Sequence, residues 1–588
     1  MEKVYILNLI PAYSQFFFIP GFIYLFYLKF KTNFFSFFAI CFCISLVANY
    51  VLIFILNLLG FYSAFSLWLF LILELIIIFI YKNQIKIYFS EIKKISFDEY
   101  NTLKKDTVFF IAVIFTLGLI AEPLYSIIKN DKVGFLQVFH LGDVLAYYSK
   151  WAREWYSGII PETTFFRPQL WPANISLIYK FFGNEYFEFF GKQIFNLIFI
   201  YLIVAIIGIC FTSKNFIYFF GSILGVYYSL TGTSTQGNSG YMEIPLSLTL
   251  IFFLTFVYEV KFRNIALKQI IYIFPVIFSC IFLTKELGWI FCFAIFFYFY
   301  YFNKVNYRQT KISIKYFLII CFFIGAIFLP FYIYTFFNYE TFNLNNPVFK
   351  LLFFDTNTHL SAGHGERYLK LDTRLIDGIK KTPDYLVLPL LINLLFLISK
   401  DKIIKYVISP FILFYYLIWL FFMSNEFRYL FPIIVITWFS SFIIAYQIFE
   451  KTKNSIFLKK LFLPLLIFLF FFTALTNKKI PNKNTILDKV DQKKLLFLEP
   501  KEKVLVSNFI KNYDENEGKV LTNIYSLNDL AFAKLKDLKI VYSERLIYNK
   551  NKNFSFIVAK GECTNFEKYN FNKIYFDKNI GCILFLGD

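Results

Sequence analysis

Long unbroken runs of apolar residues constrain this chain more than any other feature of its sequence. Two examples are segment 70–81, FLILELIIIFIY, and segment 195–211, FNLIFIYLIVAIIGICF. A hydrocarbon layer about 30 Å thick is crossed by a helix of about 20 apolar residues. A porin-type barrel would instead show strands of about ten residues with alternating polarity. The runs therefore predict an all-α polytopic membrane protein, and they exclude a single-pass receptor and a porin-type barrel.

The composition agrees with this prediction. The chain has 588 residues, of which 58% are hydrophobic and only 17% are charged, whereas about a quarter of the residues of soluble domains are charged. This length accommodates about 14 spans and one small soluble domain. The expected spans are 4–28, 34–59, 61–81, 107–128, 193–211, 216–231, 244–260, 270–284, 287–302, 316–337, 385–399, 406–423, 430–449 and 461–477.

The basic residues predict which ends of the spans face the cytoplasm. In a soluble protein, a net charge of +20 would suggest a nucleic-acid partner. In a membrane protein, the basic residues first indicate which side of the membrane each connection faces. We therefore expect no nucleic acid. The short connections on one side contain only Lys285 and Arg428. The connections on the other side are rich in lysine, and they are 29–33, 82–106, 212–215, 261–269, 303–315, 400–405 and 450–460. By the positive-inside rule the lysine-rich set is cytoplasmic.

Three long segments are then expected to face outward: 129–192, 338–384 and the tail 478–588. The tail reads as a small α/β domain, because the strand-like segments KIVYSE, FSFIVAK, KIYF and CILFLG surround one possible helix, SLNDLAFAKLKDL. Its two cysteines, Cys563 and Cys582, are either a disulfide in an oxidising compartment or two unrelated buried thiols. The resulting division is an N-terminal membrane segment with its cytoplasmic loop (1–106), a transmembrane core (107–477) and the extracytoplasmic domain (478–588).

Arginine is rare in this lysine-rich chain. Drift in an AT-rich genome would replace arginine by lysine wherever charge alone suffices, so the remaining arginines are expected where a planar, bidentate donor is needed for phosphate or carboxylate. Only Arg263 and Arg308 fall in the cytoplasmic set; the outward ones are Arg153, Arg167, Arg367, Arg374, Arg428 and Arg545. This distribution predicts an outward site for an anionic or phosphorylated ligand, with structural ion pairs as the alternative.

The first outward segment is the most informative. Residues 144–156 have helical periodicity and several aromatic side chains, as expected for a helix at the membrane interface. Asp143 directly precedes this helix, Tyr147 follows four positions later and Gly158 fifteen positions later, before the proline- and aromatic-rich segment 167–183, RPQLWPANISLIYKFFG. Asp143 has a structural interpretation as a helix N-cap and a catalytic one.

This pattern resembles the first outer loop of GT-C superfamily glycosyltransferases, which include protein O-mannosyltransferases and lipid A aminoarabinose transferases. Three further segments resemble later outer turns of that superfamily: GNSGYMEIPLSLTL at 237–250, TKELG at 284–288 and NEFRYLFP at 425–432. The resemblance covers about residues 107–477. It departs from the pattern at Val144, where many relatives have a second acidic residue.

The resemblance implies transfer of a sugar from a polyprenyl-phosphate donor to a glycan, lipid or protein acceptor at the outer face of the membrane, with inversion at the anomeric carbon. Asp143 would be the general base that takes the proton of the acceptor hydroxyl. Arg428 and Lys285 would stabilise the charge on the lipid phosphate. Glu243 would orient the acceptor or share the acid–base role, and Tyr147 would contact substrate. The implied location is the inner membrane of a bacterium, among membrane lipids.

We expect other ionisable residues to lie at the same site. Glu122 precedes Pro123 at the outer end of a span, and His140 is close enough in sequence to orient Asp143. Arg367 is expected to touch phosphate from a glycine-containing loop. That loop also contains two histidines and an acid, His359, His364 and Glu366, whose spacing matches no standard zinc motif, so a divalent metal ion is the only cofactor left open.

Each assignment has an alternative. Arg428 would instead form an ion pair with Glu426, and Lys285 with Glu286. The whole chain would instead be a polysaccharide polymerase or ligase, or a flippase or other transporter of lipid-linked sugars. Transporters usually contain internal repeats and broken helices at mid-membrane depth, and the sequence shows neither clearly. Glu74, inside the third expected span, is a further candidate without an assigned role.

Overall fold

A computed structural model describes residues 2–104, 139, 148–161, 168–184, 188–215, 217–231, 242–263, 265–285, 288, 291, 314–338, 376, 378–423, 427–449, 491–492, 495, 498–513, 518–524, 527, 535, 538–542, 554–561, 563, 566, 572–577 and 579–585. This part of the chain is mostly α-helical and has one small sheet near its C-terminal end. It therefore agrees with the predicted all-α membrane protein.

The described residues of the N-terminal half are mainly helical, and most of these helices are apolar. Their bounds are α1 Glu2–Phe17, α2 Ile19–Tyr27, α3 Phe34–Leu58, α4 Ala64–Ile80, α5 Lys82–Leu103, α6 Lys150–Tyr156, α7 Leu170–Phe182, α8 Glu188–Ser213, α9 Ile217–Thr231, α10 Glu243–Phe262 and α11 Leu267–Phe282. Asn33 shows why one of them begins where it does: its side chain accepts a hydrogen bond from the Ser36 amide and caps α3.

The second half contains helices with local distortions. Their bounds are α12 Ile314–Asn338, α13 Asp384–Asn393, α14 Ser409–Ile418, α15 Phe431–Phe449 and, in the tail, α16 Pro500–Asn512. Helix α14 is continuous with π-helical turns at Ile404–Ile408 and Trp419–Met423, and a 3-10 turn at Phe427–Leu430 leads into α15. Such π turns are frequent at functional sites.

Six helices of the described part are long and apolar enough to cross a membrane, or up to eight if two bent pairs are each one span. The first expected span, 4–28, is one of these pairs, since α1 and α2 meet at 41°. Helix α5 turns 79° away from α4, so much of the expected loop 82–106 is a helix. The expected spans 107–128 and 461–477, and most of 287–302, lie outside the described residues, and the total of 14 stays a prediction.

Helices α9 and α15 pack closely because α9 presents glycines to its partner. A Cβ atom on Gly221 would lie 2.5 Å from the Trp438 carbonyl oxygen, and one on Gly225 would lie 2.6 Å from the Val435 Cα. Close approach at small residues is typical of helix pairs in membranes, where dispersion and hydrogen bonds replace the hydrophobic effect as the attraction between helices.

Several lysine-rich connections meet at one end of the helices. Asn33 donates to the Thr212 hydroxyl at 2.8 Å, and Gln269 donates to the carbonyl oxygen of Leu28 at 3.0 Å. Arg263 forms ion pairs with Glu259 of α10 and Glu99 of α5. The connections 29–33, 82–106, 212–215 and 261–269, which the lysine distribution assigns to one side, are thus bonded to one another.

Asp401 is the centre of a further cluster at this end. Its Oδ2 atom accepts hydrogen bonds from the Tyr218 hydroxyl of α9 at 2.6 Å and from the Tyr258 hydroxyl of α10 at 2.9 Å. Its Oδ1 atom accepts from the Lys261 ammonium at 2.9 Å and from the Ile403 amide at 2.9 Å. Burial alone would raise the pKa of Asp401, but the charge of Lys261 and these hydrogen bonds outweigh it and hold the pKa below its ordinary value.

A smaller polar group lies among the first helices. Gln15 of α1 donates to the side-chain oxygen of Asn49 of α3 at 3.2 Å, and it also approaches Glu74 of α4 at 3.5 Å. Glu74 is only partly buried, on a helix whose neighbouring apolar side chains are exposed. The structure thereby provides Glu74 with a polar neighbour, as expected for an ionisable residue within an apolar helix.

The tail forms a mixed sheet with strand order β2-β1-β3-β5-β4. The strands are β1 Gly518–Thr522, β2 Leu538–Tyr542, β3 Phe556–Lys560, β4 Asn572–Asp577 and β5 Gly581–Phe585. β1 is parallel to β2 and β3, whereas β5 is antiparallel to β3 and β4. The structure joins Cys563 to Cys582, on β5, by a disulfide, which is the first of the two readings of these cysteines.

Replacing Asp401 by alanine should destabilise the helix bundle by about 3 kcal/mol, because Lys261 and two buried tyrosine hydroxyls lose their common acceptor. Since the pKa of Asp401 is lowered on folding, its contribution is complete above about pH 4 and declines as the pH falls toward the lowered value. Thermal unfolding in detergent, compared with the exposed-site variant Asp98→Ala, measures both effects. Equal melting of the two variants at neutral pH would contradict this account.

Candidate functional site

Two predicted site residues, Glu243 and Lys285, form a buried ion pair. The Lys285 ammonium lies 2.5 Å from Oε1 of Glu243, and the two side chains are 4% and 0% exposed. Glu243 is the first residue of α10, where a carboxylate is favoured by the helix dipole. The alternative partner for Lys285, Glu286, lies outside the described residues. The pair seen joins positions 42 residues apart.

The turn after α11 explains how Lys285 reaches this position. The Gly288 amide donates to the Lys285 carbonyl oxygen at 2.8 Å, which folds the segment TKELG back on the helix end. A Cβ atom on Gly288 would lie 2.3 Å from the carbonyl oxygen of Ile281. Only glycine permits this approach, so the glycine of the segment has a direct steric cause.

The segment 425–432 meets the same pair. The Lys285 ammonium lies 5.1 Å from the ring centroid of Tyr429, within the range of a cation–π contact. Tyr415 of α14 donates to the Tyr429 carbonyl oxygen at 2.6 Å and fixes the 3-10 turn. Ser247 of α10 donates to the carbonyl oxygen of Phe431 at 2.9 Å. Arg428 belongs to this turn, and its side chain lies outside the described part.

The proline-rich segment of the first outer loop also contacts the turn after α11. The Trp171 indole donates to the Thr284 hydroxyl at 3.2 Å, and the Leu170 amide donates to the Leu283 carbonyl oxygen at 3.2 Å. Trp171 is fully buried. Together with the preceding contacts, these bonds bring segments 167–183, 237–250, 284–288 and 425–432 to one place in the fold.

The predicted interfacial helix 144–156 is described from Tyr148 onward, and its α-helical part is α6. Trp155 of α6 donates to the side-chain oxygen of Gln169 at 3.1 Å and so connects the helix to the proline-rich segment. Gly158 follows the helix with a φ of 82°, in the left-handed region that favours glycine. Helix termination is therefore the role the structure shows for Gly158.

A second group of charges beside this helix was not predicted. Arg153 of α6 lies 3.8 Å from the buried carboxylate of Glu188 and donates to the Ser149 hydroxyl at 2.9 Å. The ion-pair alternative for the outward arginines therefore applies to Arg153. One turn after Glu188 on α8 lies Lys192, which is fully buried.

Two aromatic rings lie near the Lys192 ammonium. This ammonium lies 5.9 Å from the rings of both Phe139 and Phe195, and within the described part it has no hydrogen-bond partner. Phe139 precedes Asp143 by four positions in the sequence, and Phe195 also contacts Trp171. A lysine at the start of an apolar span, four residues after a glutamate, was the sequence signal for this residue.

The remaining predicted site residues lie outside the described residues: Asp143, Tyr147, His140, Glu122 and Arg367. The histidine-containing loop that left open a divalent metal ion lies there too. Among the residues that the structure describes, no group of three histidine, cysteine or acidic side chains could hold a metal ion.

Replacing Lys285 by methionine should destabilise the protein by about 3–5 kcal/mol, because Glu243 is left as a buried carboxylate without its cation. The double variant Glu243→Gln/Lys285→Met removes both charges and should recover most of this loss. Thermal unfolding of the single and double variants in detergent measures the coupling. Lys268→Met, at an exposed position of α11, is the matched control, and a Lys285 variant as stable as this control would refute the buried pair.

No family model and no curated protein matches this chain. The assignment of the site therefore depends on the residues and contacts described above.

Proposed function

We propose that this protein is a membrane-embedded glycosyltransferase of GT-C type, which moves a sugar from a polyprenyl-phosphate donor to an acceptor at the outer face of the membrane. One observation carries the proposal. The four segments that resemble outer loops of that superfamily are far apart in the sequence, and those of their residues that the structure describes contact one another around Glu243 and Lys285.

The charges near this point suit a reaction at a lipid phosphate. In an inverting transfer the acceptor oxygen attacks the anomeric carbon while the bond from that carbon to the phosphate oxygen breaks. The electron pair leaves with the phosphate, whose charge needs fixed cations. Arg428 and Lys285 are the cations that we assign to the lipid phosphate.

The acceptor proton requires a separate base. Glu243 is buried and its Oε1 atom is occupied by the Lys285 ammonium. Asp143 therefore keeps the role of general base in the proposal, and Glu243 is assigned to holding Lys285 in place. Phe139, four residues before Asp143, is buried beside Lys192.

The tail disulfide supports an extracytoplasmic position for the C-terminal part. Disulfides persist in oxidising compartments and are rare in the cytosol. The positive-inside argument assigns the same side to this segment, because the lysine-rich connections occupy the other side. The two arguments rest on unrelated chemistry, a redox state and a charge distribution.

The reaction is tested with purified protein in liposomes and a panel of polyprenyl-phosphate sugars, by measuring release of free polyprenyl phosphate. Asp143→Asn should lower the rate by about 10²–10⁴-fold, the usual contribution of a general base. Asp98→Asn, at an exposed position of α5, is the matched control. A wild-type protein that releases nothing from any donor would count against the enzyme, and full activity of Asp143→Asn would favour a polymerase or ligase.

The orientation is tested in intact cells with a membrane-impermeant maleimide. A cysteine introduced at Asn572, an exposed position of β4, should react in intact cells, whereas the wild-type protein, in which Cys563 and Cys582 are buried and joined, should not. A cysteine introduced at Lys93, an exposed position of α5, should react only after the cells are opened. Labelling of Lys93→Cys in intact cells would reverse the topology.

A further inference from the structure

A polar cavity of about 410 Å³ lies between the ends of α8, α9 and α15. Its volume is within the range of about 300–1,000 Å³ of small-molecule sites. Tyr218, on its wall, donates to Asp401, which also accepts from Lys261 of α10. Lys261 follows Glu243 by eighteen residues on that helix, about 27 Å along its axis. The cavity is therefore separate from the candidate glycosyltransferase site.

The charged side chains on the cavity wall are basic. Lys214 and Lys400 line it, and the described lining residues include no carboxylate. Asp401, next to Lys400 in the chain, is already neutralised by Lys261 and by its hydrogen bonds to two tyrosines. An anion entering the cavity would meet two lysines and a carboxylate whose acceptor atoms are occupied.

Local backbone structure holds these lysines at the helix ends. Lys214 follows α8 with a φ of 53°, in the left-handed region, so it turns the chain sharply into α9. Asn215 accepts a hydrogen bond from the Ile217 amide at 3.0 Å at the start of that helix. The Lys400 amide donates to Oε1 of Gln447 at 2.8 Å, which ties the connection before α14 to α15. Two separate connections and helix α15 thus build one wall.

Two amide side chains of the wall can donate hydrogen bonds. Asn215 and Gln447 line the cavity, and the Oε1 atom of Gln447 is occupied by Lys400 and Ser399. The amide nitrogen of Gln447 is then its remaining polar group, and it is a donor only. Together with the two lysines, these amides complement the oxygens of a phosphate.

We propose that this cavity binds a phosphate-bearing anion, either the headgroup of an anionic phospholipid or a soluble phosphate compound. The cavity opens at the ends of apolar helices, beside Tyr446, which is 38% exposed. Tyrosines are enriched at the level of lipid headgroups. Basic pockets between transmembrane helices on the cytoplasmic side bind anionic headgroups, and the lysine-rich connections that form this cavity are assigned to that side.

The two sources are distinguished with the full-length protein in detergent. Native mass spectrometry measures binding of phosphatidylglycerol and, separately, of zwitterionic phosphatidylcholine. A parallel titration follows the thermal unfolding midpoint with inorganic phosphate, and sodium sulfate at matched ionic strength corrects for general salt effects. Retained phosphatidylglycerol in excess of phosphatidylcholine indicates a lipid site, whereas specific stabilisation by phosphate alone indicates a soluble ligand.

The double variant Lys214→Gln/Lys400→Gln should weaken phosphatidylglycerol or phosphate binding about tenfold or more, equivalent to about 1.4 kcal/mol. Lys93→Gln/Lys94→Gln removes two exposed lysines of α5 and is the matched control for net charge. Lys214→Arg/Lys400→Arg keeps the charge and should retain binding, which separates loss of the site from loss of the fold. Equal binding by both glutamine variants, or binding of neither ligand by wild type, would overturn the proposal.

Discussion

A charge that lies between apolar helices must meet an opposite charge or several hydrogen bonds, and this constraint determines where the helices of this protein are joined. The desolvation of an unpaired ion costs several kcal/mol. Asp401 and Lys261, Glu99 and Arg263, and Glu243 and Lys285 meet this condition at helix ends. Each pair connects at least two segments, so the same contacts that neutralise the charges also align the helices.

The sequence predicts which helix ends lie together, because this prediction needs only the positions of the lysines. Lysines were concentrated in alternate connections, and the structure bonds five of those connections into networks at one end of the bundle, through residues such as Asn33, Glu99 and Asp401. The lysine count did not identify these partners, because each of these contacts joins residues more than a hundred positions apart in the sequence. Which side of a membrane this end faces stays a prediction.

Local patterns were less informative where tertiary contacts decide the structure. Helix α5 was expected to be a connection because its lysines interrupt the apolar pattern, yet Ile85, Tyr88 and Ile92 form a buried face that holds it against the bundle. Strand β1, with sequence GKVLT, was missed because five residues that include a lysine carry little strand signal. It gains its stability as the strand between β2 and β3.

The candidate site shows the same division between what sequence can and cannot specify. The motif segments were identified in order along the chain, and their convergence is what the predicted alternation of the spans would produce. The sequence suggests lipid phosphate as the ligand of Lys285, with the adjacent Glu286 as the alternative partner, because a motif displays only neighbours in the sequence. In the structure Glu243 lies at the start of a fully buried helix, where an unpaired carboxylate would be costly, and it takes Lys285 as its cation.

This pairing changes the electrostatics of the proposed reaction. A lysine already neutralised by Glu243 contributes less field at a lipid phosphate than an unpaired cation would. Lys192 is fully buried, 5.9 Å from two aromatic rings and one helix turn after Glu188. It therefore has an acidic neighbour of its own, and its ammonium gives up hydration on burial. Under the proposed function, Arg428 therefore bears most of the charge of the lipid phosphate, and the Glu243–Lys285 pair positions the turn that contains Arg428.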